Sequence, residues 1–146
     1  MKGTVMEKEK KRIHQKLNDD ELYFRLKEKD KKERTANHLN SPEYACDCQG
    51  KYCNGFPIHM NEKLIEKIRA LRSLVNHDVL VISGIRCEKQ NLECDGSKYS
   101  FHQLGRAADI KCENLSVDEL AMVAESLGLL VIRDYREGVV HCQWNN

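Results

Sequence analysis

The sequence has no charge imbalance, no long apolar run and no apolar segment at its N-terminus. Its 24 basic and 23 acidic residues give a net charge of +1, whereas nucleic-acid-binding proteins usually carry a clear basic excess. No apolar run approaches the roughly 18 residues of a membrane-spanning helix, and Met1 to Lys8 lack the apolar core of a signal peptide. These absences predict no nucleic-acid partner, no membrane partner and synthesis in the cytoplasm.

Cysteine, in contrast, is abundant, with seven in 146 residues. A chain of this length fits one domain of ordinary size that buries a core without disulfides. In the cytosol these cysteines would mostly be reduced, which favours metal binding or burial over a disulfide framework. After export the same residues could pair. The sequence alone does not choose between the two.

Residues 1–40 form a charged, partly helical N-terminal arm in this interpretation. Glu, Lys, Arg and Asp dominate from residue 7 to about 37, and good helix formers predict a solvated helix or a helical pair broken near 18–20. Two alternatives stay open for the arm: partial order, or a helix that binds a partner or oligomerises. A linker is predicted at 37–42, because Ser41-Pro42 breaks a helix.

From residue 41 to residue 146 the pattern predicts an α+β domain in which helices flank a small antiparallel sheet. Apolar residues at 3.6-residue spacing predict a helix that follows the N-cap Asn61. Ser116 and Glu119 form a capping box for another helix, which Gly128 ends. The other predicted segments are a buried strand at 79–83, a polar loop at 86–101, a strand at 107–112, and a hairpin of strands at 129–134 and 139–144.

Two histidines and one aspartate in this domain form a candidate metal-binding set. His102 and Asp109 are seven positions apart, and His141 lies in the last predicted strand. Two imidazoles and one carboxylate are the ligand types and number of a catalytic zinc site, in which the fourth position stays open to water. Strand alternation places Asp109 and His141 on the face opposite the apolar one, so a shared site is compatible with the pattern.

The segments that carry these residues resemble the M15 family of zinc peptidases. This family includes D-alanyl-D-alanine carboxypeptidases and phage endolysins, and it shares its fold with Hedgehog signalling domains. Its signature Ser-x-His-x-x-Gly-x-Ala-x-Asp is met by Ser100, His102, Gly105, Ala107 and Asp109. A Ser-Gly-x-Arg element precedes it at 83–86, and a valine-flanked histidine follows it at 141. The resemblance covers about residues 45–144 and implies a zinc peptidase domain at 41–146.

By this resemblance, His102, Asp109 and His141 would bind zinc. Arg86 would bind the carboxylate or carbonyl group of a peptide through its planar fork, and Ser100 would help to hold substrate at the rim. The implied partners are peptidoglycan peptides. The implied reaction is hydrolysis of amide bonds in stem peptides or cross-links, as in D-Ala-D-Ala carboxypeptidases and endolysin-like endopeptidases. Action at the cell wall would then follow phage-type release.

The general base departs from the family pattern. Members often have an acidic residue three positions before the last zinc histidine, or an Asp two positions after it; these positions are Gly138 and Gln143 here. Glu137 is the nearest candidate base, although a carboxylate in a hairpin turn is more usually just solvated. An alternative function is therefore a catalytically silent zinc-binding module of the same fold, associated with the cell wall or a virion.

A second group of chemically active side chains is the cysteine loop, with Cys46, Cys48 and Cys53. The spacing Cys-x-Cys-x4-Cys is not that of a standard zinc ribbon, and a fourth ligand would have to come from elsewhere. The residues considered for it are Cys87, Cys94 and His59. A structural metal site, disulfides and free buried thiols all remain open.

Three further side chains have simpler interpretations. Cys112 and Cys142 are predicted on the core-facing side of their strands, where they would be buried or would form a mutual disulfide. Arg106 is interpreted as a solvated loop charge.

Overall fold

A computed structural model of the chain describes residues 5–32 and 41–146, with side chains for 19–32 and 41–146. Helix α1 (Val5–Lys32) lies in one compact unit, Met1–Arg34, and all other elements lie in a second, Thr35–Asn146. The helix is continuous, so the break predicted near 18–20 does not occur. Most of the predicted linker, 37–40, lies outside the described residues, and the division at residue 40 stays a prediction. No helix of the described residues is long and apolar enough to cross a bilayer.

The second unit has the predicted α+β fold, and its described residues, 41–146, form three α-helices and a four-stranded antiparallel sheet. Its elements are α2 (Glu62–Val75), β1 (Leu80–Ser83), α3 (Glu88–Glu93), β2 (Ala107–Lys111), α4 (Val117–Ser126), β3 (Leu130–Asp134) and β4 (Val139–Gln143). The strand order is β1-β2-β4-β3. Two short 3-10 helices, Pro42–Tyr44 and Phe101–Leu104, complete the unit.

The predicted helix starts are confirmed. The Asn61 side chain accepts a hydrogen bond from the Leu64 backbone N–H at 3.0 Å. Ser116 and Glu119 form both hydrogen bonds of the capping box at the start of α4. Each cap satisfies N–H groups that the first helical turn leaves without a partner, which explains why both helices begin at these residues.

Strand alternation separates the core from the functional face of the sheet. On β2 and β4, Ala108, Ile110, Val140 and Cys142 are fully buried in the core that also contains the apolar faces of α2 and α4. The residues between them point to the other face. Asp109 pairs directly with His141 across the two central strands, so the pairing register itself brings these two side chains together.

Two of the sequence predictions for the segment between 79 and 101 are wrong. β1 is an edge strand rather than a buried one, with Leu80 and Ile82 54% and 49% exposed. Leu80 pairs with Lys111 and shares its solvent-facing side, because directly opposed residues point to the same face. The predicted polar loop contains helix α3, whose Asn91 is only 1% exposed.

Candidate active site

His102 lies in the 3-10 turn that precedes β2 and is only 2% exposed. The Ser100 hydroxyl accepts a hydrogen bond from the His102 backbone N–H at 3.3 Å, which caps this turn. The imidazole Nδ1 lies 2.7 Å from the Gly84 carbonyl oxygen. A carbonyl only accepts hydrogen bonds, so Nδ1 must carry the proton and Nε2 keeps its lone pair. The Ser100 side chain is itself buried, and its hydroxyl group caps the turn that carries His102.

Two glycines allow this tight arrangement of backbone. A Cβ at Gly84 would lie 2.7 Å from the Tyr44 Cα and carbonyl oxygen, and one at Gly105 would overlap the His59 carbonyl. Gly105 also has a φ of +70°, the left-handed conformation that side chains other than glycine rarely adopt. Residues with a Cβ would therefore push apart the backbone segments that hold His102.

His141 projects from β4 beside Asp109. Its Nδ1 is 2.9 Å from Asp109 Oδ1, and its Nε2 is 2.8 Å from Gln143 Oε1. The Gln143 amide nitrogen donates to Asn145 Oδ1 at 2.8 Å, so the amide oxygen faces the imidazole. In the neutral ring the proton of His141 is thus placed on Nε2, and Nδ1 has a lone pair on the side of Asp109.

The three side chains converge on one point, and with both rings neutral only electron pairs face it. Their ligand atoms all lie within 4.8 Å of one another. His102 Nε2 is 3.3 Å from Asp109 Oδ1, but the two do not have hydrogen-bonding geometry. Among the described residues, this nitrogen is the buried side-chain nitrogen or oxygen atom that has no hydrogen-bond partner. A cation satisfies all three atoms, and tetrahedral zinc would separate such ligands by about 3.3 Å.

The two imidazoles also act on the carboxyl group of Asp109. Burial raises the pKa of its carboxyl group, but the neighbouring imidazoles of His102 and His141 outweigh burial and hold the pKa well below the usual range. The carboxylate is therefore ionised at neutral pH. One carboxylate and two imidazoles are a suitable donor set for zinc.

Arg86 lies next to these residues and is fixed by three side chains. Its Nε donates to Ser83 Oγ at 3.2 Å, its Nη1 to Asn91 Oδ1 at 3.2 Å and its Nη2 to Asp109 Oδ2 at 3.4 Å. Asn91 in turn donates to the Ser97 carbonyl at 2.8 Å. No sequence pattern indicated Asn91, because its position depends on contacts within a segment predicted to be a loop. One residue that reflects the position of Asn91 is Gly96, because a Cβ at residue 96 would overlap the Asn91 side-chain amide.

All of these groups open into one cavity of about 660 Å³, within the range usual for ligand sites. The cavity is lined by all six site residues predicted from the sequence: Arg86, Ser100, His102, Asp109, Glu137 and His141. Its remaining lining residues are Ile82, Asp95, Ser97, Ile132, Asp134 and Val139. The exposed isoleucines of the outer sheet face thus form one wall of the cavity, and acidic residues form part of its rim.

Two carboxylates of the β3–β4 hairpin border the cavity. Glu137 donates its backbone N–H to Asp134 Oδ1 at 3.0 Å. In the described part of the chain its carboxylate makes no hydrogen bond or ion pair, so it is free to turn toward the cavity. Asp134 was not among the sequence candidates. Its strand-end position gave no signal, and only the fold shows that it shares the cavity with Glu137.

Four of the cysteines form a separate cluster, in which Cys87 joins the three cysteines of the loop. Cys46, Cys48, Cys53 and Cys87 offer sulfur atoms within 4.8 Å of one another. The other fourth-ligand candidates, Cys94 and His59, do not belong to this cluster, and Cys94 is exposed. Cys112 and Cys142 are buried and free, so the structure agrees with burial and not with their mutual disulfide.

Comparison with protein families gives a match that covers most of the chain. The model of a protein family described as Peptidase M15 matches residues 37–143, which include the whole candidate site. A search of curated proteins finds no match.

Proposed function

Because the chain belongs to the peptidase M15 family, we propose that it is a zinc-dependent peptidase that hydrolyses amide bonds in peptidoglycan stem peptides or cross-links. One observation carries the zinc dependence: His102 Nε2, Asp109 Oδ1 and His141 Nδ1 converge, and with both rings neutral they present three electron pairs to one point. Such a set is unfavourable without a cation. The proposal includes a site of action at the cell wall, where these substrates occur.

The chain's own residues prepare the donor set. The Gly84 carbonyl and the Gln143 amide each hold one imidazole in the tautomer that points a lone pair inward, as partners of metal-binding histidines commonly do. The chemistry that zinc supplies in such a site is Lewis acidity, which lowers the pKa of water to about 7 and polarises a carbonyl. Three ligands leave a coordination position for this chemistry, whereas a closed structural site needs four.

Arg86 is the proposed substrate-binding group. Its guanidinium is held in place by Ser83, Asn91 and Asp109, and its side chain is still 13% exposed at the cavity. A planar fork fixed in this way can bind a peptide carboxylate or carbonyl with little loss of side-chain entropy. A substrate anchored at Arg86 lies directly beside the metal-binding set, because Arg86 and His102 share Asp109 as a neighbour.

The proton acceptor in this mechanism is Glu137. Glu137 lines the cavity and lies in a turn, and its carboxylate has no partner among the described residues, so the carboxylate could reach water between the metal set and the substrate. Asp134 is the competing carboxylate. It is already engaged with the Glu137 backbone N–H.

Glu137→Gln is expected to lower kcat by about 10²-fold or more, because the amide cannot accept the proton. Zinc content should stay unchanged, since Glu137 is not a ligand. The measurement is turnover of a stem peptide together with zinc per chain. Asp134→Asn is the matched control, because it keeps the oxygen that accepts the Glu137 N–H. A large loss in Asp134→Asn with none in Glu137→Gln would transfer the role to Asp134.

The enzymatic proposal itself is tested by incubating the purified protein with muropeptides and following cleavage by mass spectrometry. We expect cleavage that stops with a chelator and returns when zinc is added, because catalysis depends on the His102, Asp109 and His141 set. Protein heated above its unfolding temperature is the control for contaminating hydrolases that are more heat-stable.

A second candidate function has one observation in its favour. Gly138 and Gln143 occupy the positions where related sequences often carry an acidic base, and the Gln143 oxygen is already used by His141. A zinc-binding wall or virion module of the same fold would leave stem peptides intact while binding zinc stoichiometrically. That result in the muropeptide assay would replace the peptidase proposal with this one.

A further inference from the structure

The cysteine cluster lies apart from the catalytic set, in the loop that begins after the 3-10 helix Pro42–Tyr44. The Cys46 backbone N–H donates to the Gly55 carbonyl at 2.8 Å, which closes a ten-residue loop around Cys48 and Cys53. Within it, Gln49 and Gly50 have φ values of 54° and 84°, so the chain reverses direction between these two cysteines. The turn brings the Cys48 and Cys53 sulfur atoms to 3.4 Å from each other.

Cys87 approaches this loop from a distant part of the chain. Its backbone N–H donates to Cys46 Sγ at 3.3 Å, and the Gly55 N–H donates to Cys53 Sγ at 3.4 Å. Backbone N–H groups that point at sulfur stabilise negative charge on it, as around thiolate ligands. Cys46 and Cys48 are buried and the other two cysteines of the cluster are half-buried, so the four sulfurs have limited access to water.

We propose that Cys46, Cys48, Cys53 and Cys87 together bind one zinc ion as a closed, structural tetrathiolate site. Four thiolates at about 2.3 Å from zinc lie about 3.8 Å apart, and the four sulfurs here are already within 4.8 Å of one another. Four ligands fill the coordination shell, so this ion has no open position for substrate. The proposal does not depend on the peptidase function.

Two other chemical states of these four cysteines, a disulfide and an iron–sulfur cluster, fit the arrangement less well. A disulfide uses two of the four sulfurs at a separation of about 2.05 Å, and it leaves the other two sulfurs without a role. An iron–sulfur cluster places several iron and sulfide atoms between the cysteine sulfurs, so it needs a wider set than one ion does. The compact arrangement of all four therefore favours a single tetrahedral ion.

The ion would also stabilise the substrate-binding segment. Cys87 directly follows Arg86, whose backbone N–H donates to the His102 carbonyl at 3.2 Å. The adjacent Ile85 N–H donates to the Tyr44 carbonyl at 2.9 Å, close to the start of the cysteine loop. A metal that joins Cys87 to this loop would fix the backbone from which Arg86 reaches the cavity.

Cobalt substitution tests this proposal directly. Protein purified under reducing conditions, stripped of metal and refilled with Co²⁺ should bind two ions per chain and show the intense charge-transfer absorption of cobalt thiolates. His102→Ala should bind one ion and keep this absorption, because nitrogen and oxygen ligands do not produce it. The double variant Cys48→Ser/Cys53→Ser should also lose one ion, and should lose the absorption. Cys94→Ser is the matched control and should behave like the wild type.

The wild type and His102→Ala decide the question even if the cysteine variant does not fold. A wild type that binds a single ion and lacks thiolate absorption would overturn the proposal. Disulfides in protein kept under non-reducing conditions, together with no cobalt absorption, would overturn it as well. They would be seen as an intact mass that is two hydrogens lower for each disulfide. An inactive protein that still shows the thiolate absorption would count against the peptidase function alone.

Discussion

Replacing His102 by Ala is expected to empty the catalytic metal set and to lower kcat/KM on a stem peptide by at least about 10³-fold. His102 supplies the ligand atom that has no hydrogen-bond partner, and its ring is fixed by the Gly84 carbonyl. Asp109 and His141 alone leave a two-ligand site, which binds zinc weakly. Loss of the ion removes the Lewis acid while the substrate contacts of Arg86 remain, so we expect the effect mainly in kcat.

The measurement is zinc per chain together with steady-state kinetics on a defined stem peptide. His77→Ala is the matched control, because His77 is exposed and its ring lies 3.3 Å from the Asn114 amide, outside the metal set. It should keep wild-type zinc content and turnover. Full zinc content and full activity in His102→Ala would contradict the assignment of the metal set.

Arg106→Leu is expected to lower the free energy of unfolding by about 3 kcal/mol. The Arg106 side chain is 1% exposed, and its Nη1 donates to the backbone oxygens of Trp144 and Asn146, each at 3.0 Å. Its own carbonyl accepts the Trp144 N–H at 3.1 Å. Leucine fills much of the same volume but removes the charged donor, so both oxygens lose this partner.

Urea unfolding under reducing conditions measures the change. Arg136→Leu is the control, because Arg136 is exposed in the β3–β4 turn and should shift the unfolding free energy by less than about 0.5 kcal/mol. Equal effects of the two substitutions would mean that the buried contacts of Arg106 contribute nothing to stability.

The sequence indicated which side chains share the outer face of the sheet, because local rules determine that part of the geometry. Strand alternation alone places Asp109 and His141 on the face opposite the core, and the structure pairs them directly across β2 and β4. The capping signals at Asn61 and Ser116 were equally local, and both are confirmed. Each of these predictions depends on neighbours within a few positions along the chain.

The remaining features depend on contacts between distant segments. The exposure of β1 follows from its edge position, which the order of strands sets and no local pattern reveals. Arg106 was wrongly interpreted as solvated, since a charged loop residue usually is, and only the packing of the C-terminal residues encloses it. The same holds for Asn91, which the fold places against Arg86, and for Cys87, which the fold selects from three candidates.

The strand order also determines which part of the site would lose its geometry first during local unfolding. Asp109 and His141 lie on β2 and β4, which are hydrogen-bonded to neighbours along both edges. Such inner strands open only with the whole cooperative unit, whereas an outer strand like β1 frays at lower cost. Gly84, whose carbonyl aligns His102, follows β1 directly. Native-state fluctuations would therefore misalign the His102 ring first and would leave the Asp109–His141 pair ready to recapture an ion when the edge closes again.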